Sequence, residues 1–319
     1  MGEDPLISVC IPAYNRLAYL KRLLDSIHIQ SYRHFEVLIS DDSPGNEISG
    51  LVQQHPLGSL IRYFKNSRSL GTPENWNESI RQAKGDWIKL MHDDDWFSDA
   101  GSLQAFADAV KKYPDTRFFF SGYRNIFLDE QSREEEVLIT PVWQKRLASN
   151  PENLLSRNVI GPPSVVFHKK IPDLSYDSHL KWLVDIDFYI RYLGMNPKPV
   201  LLPGILINVG IGQDQVTQSC FRNPRVEIPE NLYLLNQYGV RILKNIIVYD
   251  AFWRFLRNLN VRSASDIRNA GYDPPVPPVI TSMIKFQSAV PVVLLRTGLI
   301  SKLLMALHYI SQYPKLTRG

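Results

Sequence analysis

Three consecutive carboxylates, Asp93, Asp94 and Asp95, follow the apolar run Trp87 to Met91 in the stretch GDWIKLMHDDDWF, Gly85 to Phe97. Three aspartates in a row repel one another and do not stabilise a strand end, so a positive group is expected among them. A divalent cation carrying a phosphate is the natural candidate, because hard cations take oxygen ligands and leave positions open for phosphate oxygens. A solvated acidic loop is the plainer reading. The apolar strand before the triplet, and Trp96 and Phe97 after it, argue against that, since ligands of α/β sheets bind at strand ends. A second run, Phe35 to Ser40, ends in Asp41 and Asp42. One acidic end could take a nucleotide base and ribose through hydrogen bonds, and the other Mg²⁺ or Mn²⁺ on a diphosphate. A carboxylate on a different element would then be free to act as general base. Asp185 is the candidate: it interrupts the apolar stretch WLVDIDFYIRYL beside Trp182, and apolar surroundings raise a carboxyl pKa. An exposed helix position is the alternative. Asp187, two residues on, points about 200° away on a helix and cannot face the same pocket.

The elements that would carry these groups can be read from periodicity. Leu6 to Ile11 is a β-branched apolar run that reads as a central strand, ended by Pro12. Asn15 is a plausible N-cap for a helix with Leu17, Leu20, Leu23, Leu24 and Ile27 on one face. Strands are expected at 35–40, 60–64, 87–91, 117–121, 165–168 and 203–209, and helices at 47–54, 74–83, 101–113 and 180–193. In the 180–193 helix Leu183, Ile186, Ile190 and Leu193 share a face. Beyond Thr140 the regular alternation stops, and the C-terminal part reads as amphipathic helices, such as Ile242 to Leu259, broken by prolines at 274–278. Strand–helix alternation with carboxylates at strand ends predicts an α/β fold with a mostly parallel sheet flanked by helices. Neither GxGxxG nor GxxxxGK[ST] occurs, which disfavours a dinucleotide fold or a P-loop enzyme.

Among 319 residues, 44% hydrophobic and 21% charged, there is room for one large domain or two small ones. Two cysteines, Cys10 and Cys220, fit a reducing compartment. The start MGEDPL lacks the basic and apolar regions of a signal peptide, and no window reaches the roughly 18–20 apolar residues of a membrane span. A cytoplasmic protein is expected. From Arg241 onward 11 Lys/Arg face 3 Asp/Glu, a local +8 that leaves −4 for residues 1–240. After Asp273 no acidic residue remains. A basic tail on an acidic body suggests an anionic surface as partner.

The segments ISVCIPAYNR, FEVLISDDS, NSRSLGTPENWNESI, GDWIKLMHDDDW and WLVDIDFYIR, in that order, resemble a family 2 glycosyltransferase over roughly residues 6–215. The resemblance implies an inverting enzyme of GT-A fold. It would have a Rossmann-like nucleotide-binding half (1–125), an acceptor half (126–240) and a basic helical extension (241–319). It places nucleotide-sugar contacts at Pro12, Ala13, Tyr14, Asn15, Asp41, Asp42, Asn66, Gly71 and Asn75. The family's Asp-x-Asp motif falls on 92–94, with His92 in place of its first aspartate. Asp93 would then lie near the ribose, with Asp94 the principal ligand of Mn²⁺ or Mg²⁺ and Asp95 an additional carboxylate. A shift of one residue would instead pair Asp93 with Asp95. The family's catalytic Glu-Asp pair falls on Val184 and Asp185, so the base is present and its acidic neighbour is not. The implied reaction is a single in-line displacement from a nucleotide-diphosphate sugar to a hydroxyl of a saccharide or lipid-linked saccharide, in a setting such as surface polysaccharide assembly.

Lesser expectations accompany these. Trp96 and Trp182 are the aromatic rings expected to meet a sugar face in the acceptor region. His168 and Lys169 could meet the diphosphate or simply be surface. Gly210 to Thr217 resembles a loop closing over the donor, with Gln213 and Asp214 as contacts. The tail, with Leu294, Leu295, Leu299, Ile300, Leu303, Leu304 and Leu307 beside Arg296 and Lys302, suits an interfacial helix at the inner face of the plasma membrane; a dimer or domain interface is the other reading. A nucleotidyltransferase and a catalytically degenerate sugar-nucleotide-binding relative remain as alternatives. Nucleic acid is not expected as a partner, because the body is acidic where nucleic acid would need cations.

Overall fold

The structure, a computed structural model, describes residues 4–129, 133–212 and 219–318. In chain order the strands are β1 (Ile7–Ala13), β2 (Phe35–Asp41), β3 (Ile61–Lys65), β4 (Trp87–Leu90), β5 (Trp96–Phe97), β6 (Phe118–Phe127), β7 (Glu134–Val137), β8 (Val166–Lys169) and β9 (Val200–Ile211). The helices are α1 (Leu17–His28), α2 (Glu47–Gln54), α3 (Glu74–Arg81), α4 (Ser102–Lys112), α5 (Pro141–Ser149), α6 (Val184–Met195), α7 (Pro224–Tyr238), α8 (Ile246–Asn258), α9 (Ala264–Asn269), α10 (Pro278–Ser288), α11 (Val292–Arg296) and α12 (Gly298–Arg318).

The strands form one sheet in the order β3-β2-β1-β4-β8-β6-β9-β5, with β7 paired on β6. The α/β class and the helical C-terminal part are as the sequence implies, but the sheet is more mixed than its pattern suggested. β1, β2, β3 and β4 pair in parallel, as do β6 and β9, whereas β8 runs antiparallel to β4 and β6, and β5 antiparallel to β9. The parallel run β1–β4 is the part with regular strand–helix alternation, because each parallel pair needs a crossover.

β1 does not stop at Pro12. Its pairing with β2 continues through Pro12 and Ala13, while β4 pairs with it only as far as Cys10. Proline therefore sits where one neighbour has already left, so its missing N–H removes no bond on that side. Asn15 is not the helix cap. It takes a left-handed backbone conformation, φ 57°, which Asn tolerates better than most residues, and α1 starts after Arg16.

The chain divides into two compact units. The first comprises Met1–Pro151, Val159–Ser178 and Phe188–Gln215 and holds the whole sheet. The second comprises Glu152–Asn158, His179–Asp187 and Val216–Gly319. This differs from a boundary at 240/241: the first unit also runs across 125/126, and the helical unit begins near 216 and takes in two earlier segments. The reason is burial. The second core surrounds Trp253, Tyr249 and Phe252 of α8, and Leu232 and Leu235 of α7, which lie before residue 240, belong to it, with Leu155 packed against it.

Candidate active site

Four residues beyond β4 gather the first unit's charge. His92, Asp94 and Asp95 each offer a ligand atom, and these atoms lie within 4.8 Å of one another. Their placement follows from three supports. Arg22 of α1 donates to the Asp94 carbonyl oxygen at 3.0 Å. The Gly210 amide at the end of β9 donates to Asp95 Oδ1 at 3.2 Å. Ser164 accepts the His92 amide on its hydroxyl at 3.1 Å. Gly210 is required to be glycine: a Cβ there would lie 2.4 Å from the Asp94 carbonyl oxygen.

The electrostatics describe a crowded anionic centre. Asp93 is pushed up to about 7, first by burial and then by the neighbouring Asp94 charge, with Arg16 opposing. Burial and Asp94 also push Asp95 well above the carboxylate range, and burial holds His92 down, towards neutral imidazole. The compensating cation at hand is Arg16, whose Nη1 stands 3.0 Å from Asp94 Oδ2 and 3.6 Å from Asp93 Oδ1. Lys89, fully buried in β4, donates to the carbonyl oxygens of Ser164 and Val166. The donor set suits a divalent cation, with hard carboxylate oxygens joined by one imidazole. His92 Nε2 is buried and has no hydrogen-bond partner among the described residues, while Nδ1 stands 3.9 Å from Asp95 Oδ2. His92, the departure from the family's motif, therefore belongs to the cluster. The His92 ring packs 4.6 Å from the ring of Trp76.

The other acidic strand end is built differently. Asp42 Oδ2 accepts the Leu70 and Gly71 amides at 3.0 and 2.7 Å, and Oδ1 accepts Asn66 Nδ2 at 2.7 Å. Asn66 also donates to Asn75 Oδ1 at 3.0 Å, and Asn75 donates to the carbonyl oxygens of Ser40 and Ala13 at 3.1 and 3.5 Å. Ala13, Asp42, Asn66, Gly71 and Asn75, all named from the sequence, are thus brought into one network. Tyr14, largely exposed, donates its amide to Asp93 Oδ2 at 3.4 Å, and the Asn15 amide donates to Ser43 Oγ at 2.9 Å. Pro12 is buried in β1 opposite Ser40.

Asp41 is taken up by its own chain. It is wholly buried, and its carboxylate accepts Tyr63 Oη at 2.6 Å, Lys65 Nζ at 3.1 Å and the Ser43 amide at 2.8 Å. Burial alone would raise its pKa, but the hydrogen bonds from Ser43, Tyr63 and Lys65 outweigh this and hold it below the usual range. His168 is likewise no cation for a diphosphate. It is buried against Phe188 and Tyr192 and pushed down to about 4 by that burial. Trp96 carries the Arg22 guanidinium on its ring, 3.7 Å from the centroid. Gln213 and Asp214 lie outside the described residues.

Asp185 is in the second unit, in the first turn of α6. It accepts Asn158 Nδ2 on Oδ2 at 2.7 Å, and burial pushes its pKa up to about 7 against the hydrogen bonds that lower it. Glu230 of α7 accepts the amides of Lys181, Trp182 and Leu183 at 2.8–3.2 Å and so fixes the approach to this turn. Asp187 turns elsewhere and accepts the Tyr238 hydroxyl at 2.6 Å, as the two-residue spacing requires. Trp182 is partly exposed, its ring 6.3 Å from that of Phe221. Arg22, Ser164, Asn158 and Glu230 were not singled out from the sequence. Arg16 and Trp76 lie inside the motif segments and could have been; the others carry no local signal.

Residues 8–161 match the family described as Glycosyl transferase family 2. That region of the chain belongs to the family. An uncharacterized glycosyltransferase of Haemophilus influenzae is 27% identical over 192 residues, 59% of this chain and 62% of its own length. The chain thus spans about three-fifths of the length of that curated relative. A Campylobacter jejuni GalNAc(5)-diNAcBac-PP-undecaprenol beta-1,3-glucosyltransferase is 31% identical over 93 residues, covering 28% of this chain and 30% of its own. Among solved structures, S. aureus TarS 1-349 in complex with UDP-GlcNAc superposes with TM-score 0.59 at 15% identity, covering 97% of this chain and 90% of that one. The mannosyltransferase PcManGT of Pyrobaculum calidifontis, in complex with GDP-Man and Mn2+, gives TM-score 0.56 at 14% identity over 98% and 87%. At these identities the structural likenesses speak for the fold.

Proposed function

We propose that this family 2 glycosyltransferase moves a sugar from a nucleotide-diphosphate donor to a hydroxyl of a saccharide or lipid-linked saccharide, with a divalent cation assisting and the anomeric configuration inverted. The observation that carries the reading is the cluster of His92, Asp94 and Asp95 under Gly210, in which buried carboxylates are gathered with one arginine and an unpartnered imidazole nitrogen. A nucleotide-sugar donor is supported by the relatives in complex with UDP-GlcNAc and GDP-Man, and a lipid-linked acceptor by the undecaprenol-linked substrate in the name of the Campylobacter relative. The reading extends to a surface-polysaccharide setting at the cytoplasmic membrane face, which a lipid-linked acceptor would suit.

His92, Asp94 and Asp95 would hold Mn²⁺ or Mg²⁺, with Asp93 near the ribose. When bound, the cation supplies positive charge against which a departing diphosphate is stabilised. Arg16, already beside the carboxylates, supplies a second positive charge. The network of Ala13, Asp42, Asn66, Gly71 and Asn75 holds the polar floor on which the base and ribose rest, with Pro12, Tyr14 and Asn15 at its edge. Asp185 takes the proton from the acceptor hydroxyl at Oδ1 or Oδ2 as the new bond forms. A carboxyl raised to about 7 is ionised in half the molecules at neutral pH while being basic enough to accept that proton. Asn158 orients the carboxylate, and Trp182 offers an aromatic surface for a sugar face.

Calorimetric titration of a panel of nucleotide sugars, with and without Mn²⁺, tests the reading on wild type and Asp94→Ala. Metal-dependent binding of one donor that Asp94→Ala abolishes is expected. Binding of nucleoside triphosphates and of no nucleotide sugar would replace the reading with nucleotidyl transfer.

A further inference from the structure

The last helix, α12, sends Met305 and Leu316 into the core of the second unit but also carries an apolar stripe on its outer face. Ser301, His308 and Gln312 face the core of the second unit and are buried. Leu299, Leu303, Leu307 and Ile310, at spacings of four, four and three, are 59–75% exposed. At 100° per residue these four side chains fall within an arc of about 80° opposite the buried polar residues. The orientation is not a loose rotation that could reverse. Ser301 Oγ accepts Trp253 Nε1 at 3.1 Å and Arg257 Nη1 at 3.0 Å. His308 meets the Tyr249 hydroxyl at 2.6 Å through Nδ1 and Ser282 Oγ at 3.1 Å through Nε2. Turning the leucines inward would break all four bonds, leave buried polar atoms unpaired and carry the buried Met305 and Leu316 outward. Val292, Val293 and Leu294 of the preceding α11 are exposed as well.

We infer that this face docks on an anionic lipid surface, with the α12 stripe and the α11 residues entering the headgroup boundary. Charge decides between lipid and a second copy of the chain. Lys285, Arg296, Lys302 and Lys315 are exposed around this region, and no acidic residue follows Asp273. A two-fold contact would set these like charges against each other, whereas an anionic leaflet complements every one of them. Among the described residues no helix is long and apolar enough to cross a membrane, so the contact would lie in the interface plane.

The inference stands apart from sugar transfer, because sedimentation reads it without turnover. The full chain would be spun with phosphatidylglycerol vesicles and with phosphatidylcholine vesicles, as wild type and as the double variant Leu303→Gln, Leu307→Gln. Both positions are solvent-facing, so the fold should be kept, which circular dichroism checks. Wild type is expected to pellet with phosphatidylglycerol, to release as salt is raised, and to lose about tenfold or more of its partitioning in the double variant. Lys302→Glu, tested alongside, should weaken binding to phosphatidylglycerol and leave the weak binding to phosphatidylcholine unchanged. Failure of wild type to pellet with phosphatidylglycerol at low salt overturns the inference, as does unchanged binding by the double variant. A salt-resistant dimer in sedimentation velocity, lost in the double variant and unaffected by vesicles, would assign the face to a second copy instead.

Discussion

Asp42, at the end of β2, accepts two backbone amides and an asparagine, and Asp41 beside it accepts a tyrosine, a lysine and an amide. Asp93, Asp94 and Asp95, beyond β4 of the same sheet, are buried just as deeply but have each other for neighbours, with Arg16 as the nearest positive charge. The first group is satisfied by its own chain and holds a loop. The second is assembled at a cost to its own ionisation and is suited to a ligand that brings positive charge. Carboxylates at two parallel strand ends look alike in a sequence; the donors that converge on them separate scaffold from site.

Substitutions should split along the same line. The largest effect is expected at the carboxylate that belongs to neither group: Asp185→Asn should lower kcat by about 10²–10⁴-fold while donor affinity is kept, the mark of a lost general base. In wild type, since burial raises Asp185 to about 7, kcat should climb about tenfold per pH unit below that value and level off above it, as the base loses its proton. A flat profile from pH 5 to 8 would remove Asp185 from the role. Next, Asp94→Asn should weaken Mn²⁺ binding by more than about a hundredfold in calorimetry, exceeding the loss usual for residues that only support a ligand. In chelator the same variant should unfold at a higher temperature than wild type, because the Asp94 charge that pushes both neighbouring carboxyls up is gone. Asp42→Ala should do the opposite, destabilising by about 1–3 kcal/mol as buried donors lose their acceptor, measured by denaturant titration. If both variants shifted stability in the same direction, the contrast between the two ends would fall. Metal binding also acts on the whole protein: Mn²⁺ at a hundred times its Kd should add about 2.7 kcal/mol to wild type, read as a rise in Tm, and no more than about 0.4 kcal/mol to Asp94→Asn.

Much of the scaffold was legible because it is local. β2 and α2 and the acidic strand ends follow from runs of apolar residues and their punctuation, and the segments quoted from 7 to 191 were enough to suggest the family. What stayed hidden is long-range or runs against pattern. Ser164 reaches the cluster from 72 residues away and Gly210 from 115, and no periodicity encodes such meetings. β7 was missed because Glu134, Glu135 and Glu136 do not read as a strand; they serve on an edge where both faces are wet and Arg124 lies opposite Glu136. β9 was cut short because Val200–Ile211 contains Pro203 and Gly204, which mark the irregular register against β6. The stripe on α12 was visible as spacing, but which side of the helix the core would take was not. Spacing is blind to the hydrogen bonds from Trp253 and Tyr249 that decide it.

Gly210 and Gly212 are two residues apart and would look interchangeable in the sequence. They are not. A methyl group at 212 would meet nothing nearer than 3.8 Å, while one at 210 would collide with main chain at 2.4 Å. At 210 no compensating change of side chain elsewhere can make room, since the obstruction is the Asp94 carbonyl itself. Variation should therefore be open at one glycine and closed at the other, so that this lineage can remodel the chain beyond β9 only from a point that is held fixed.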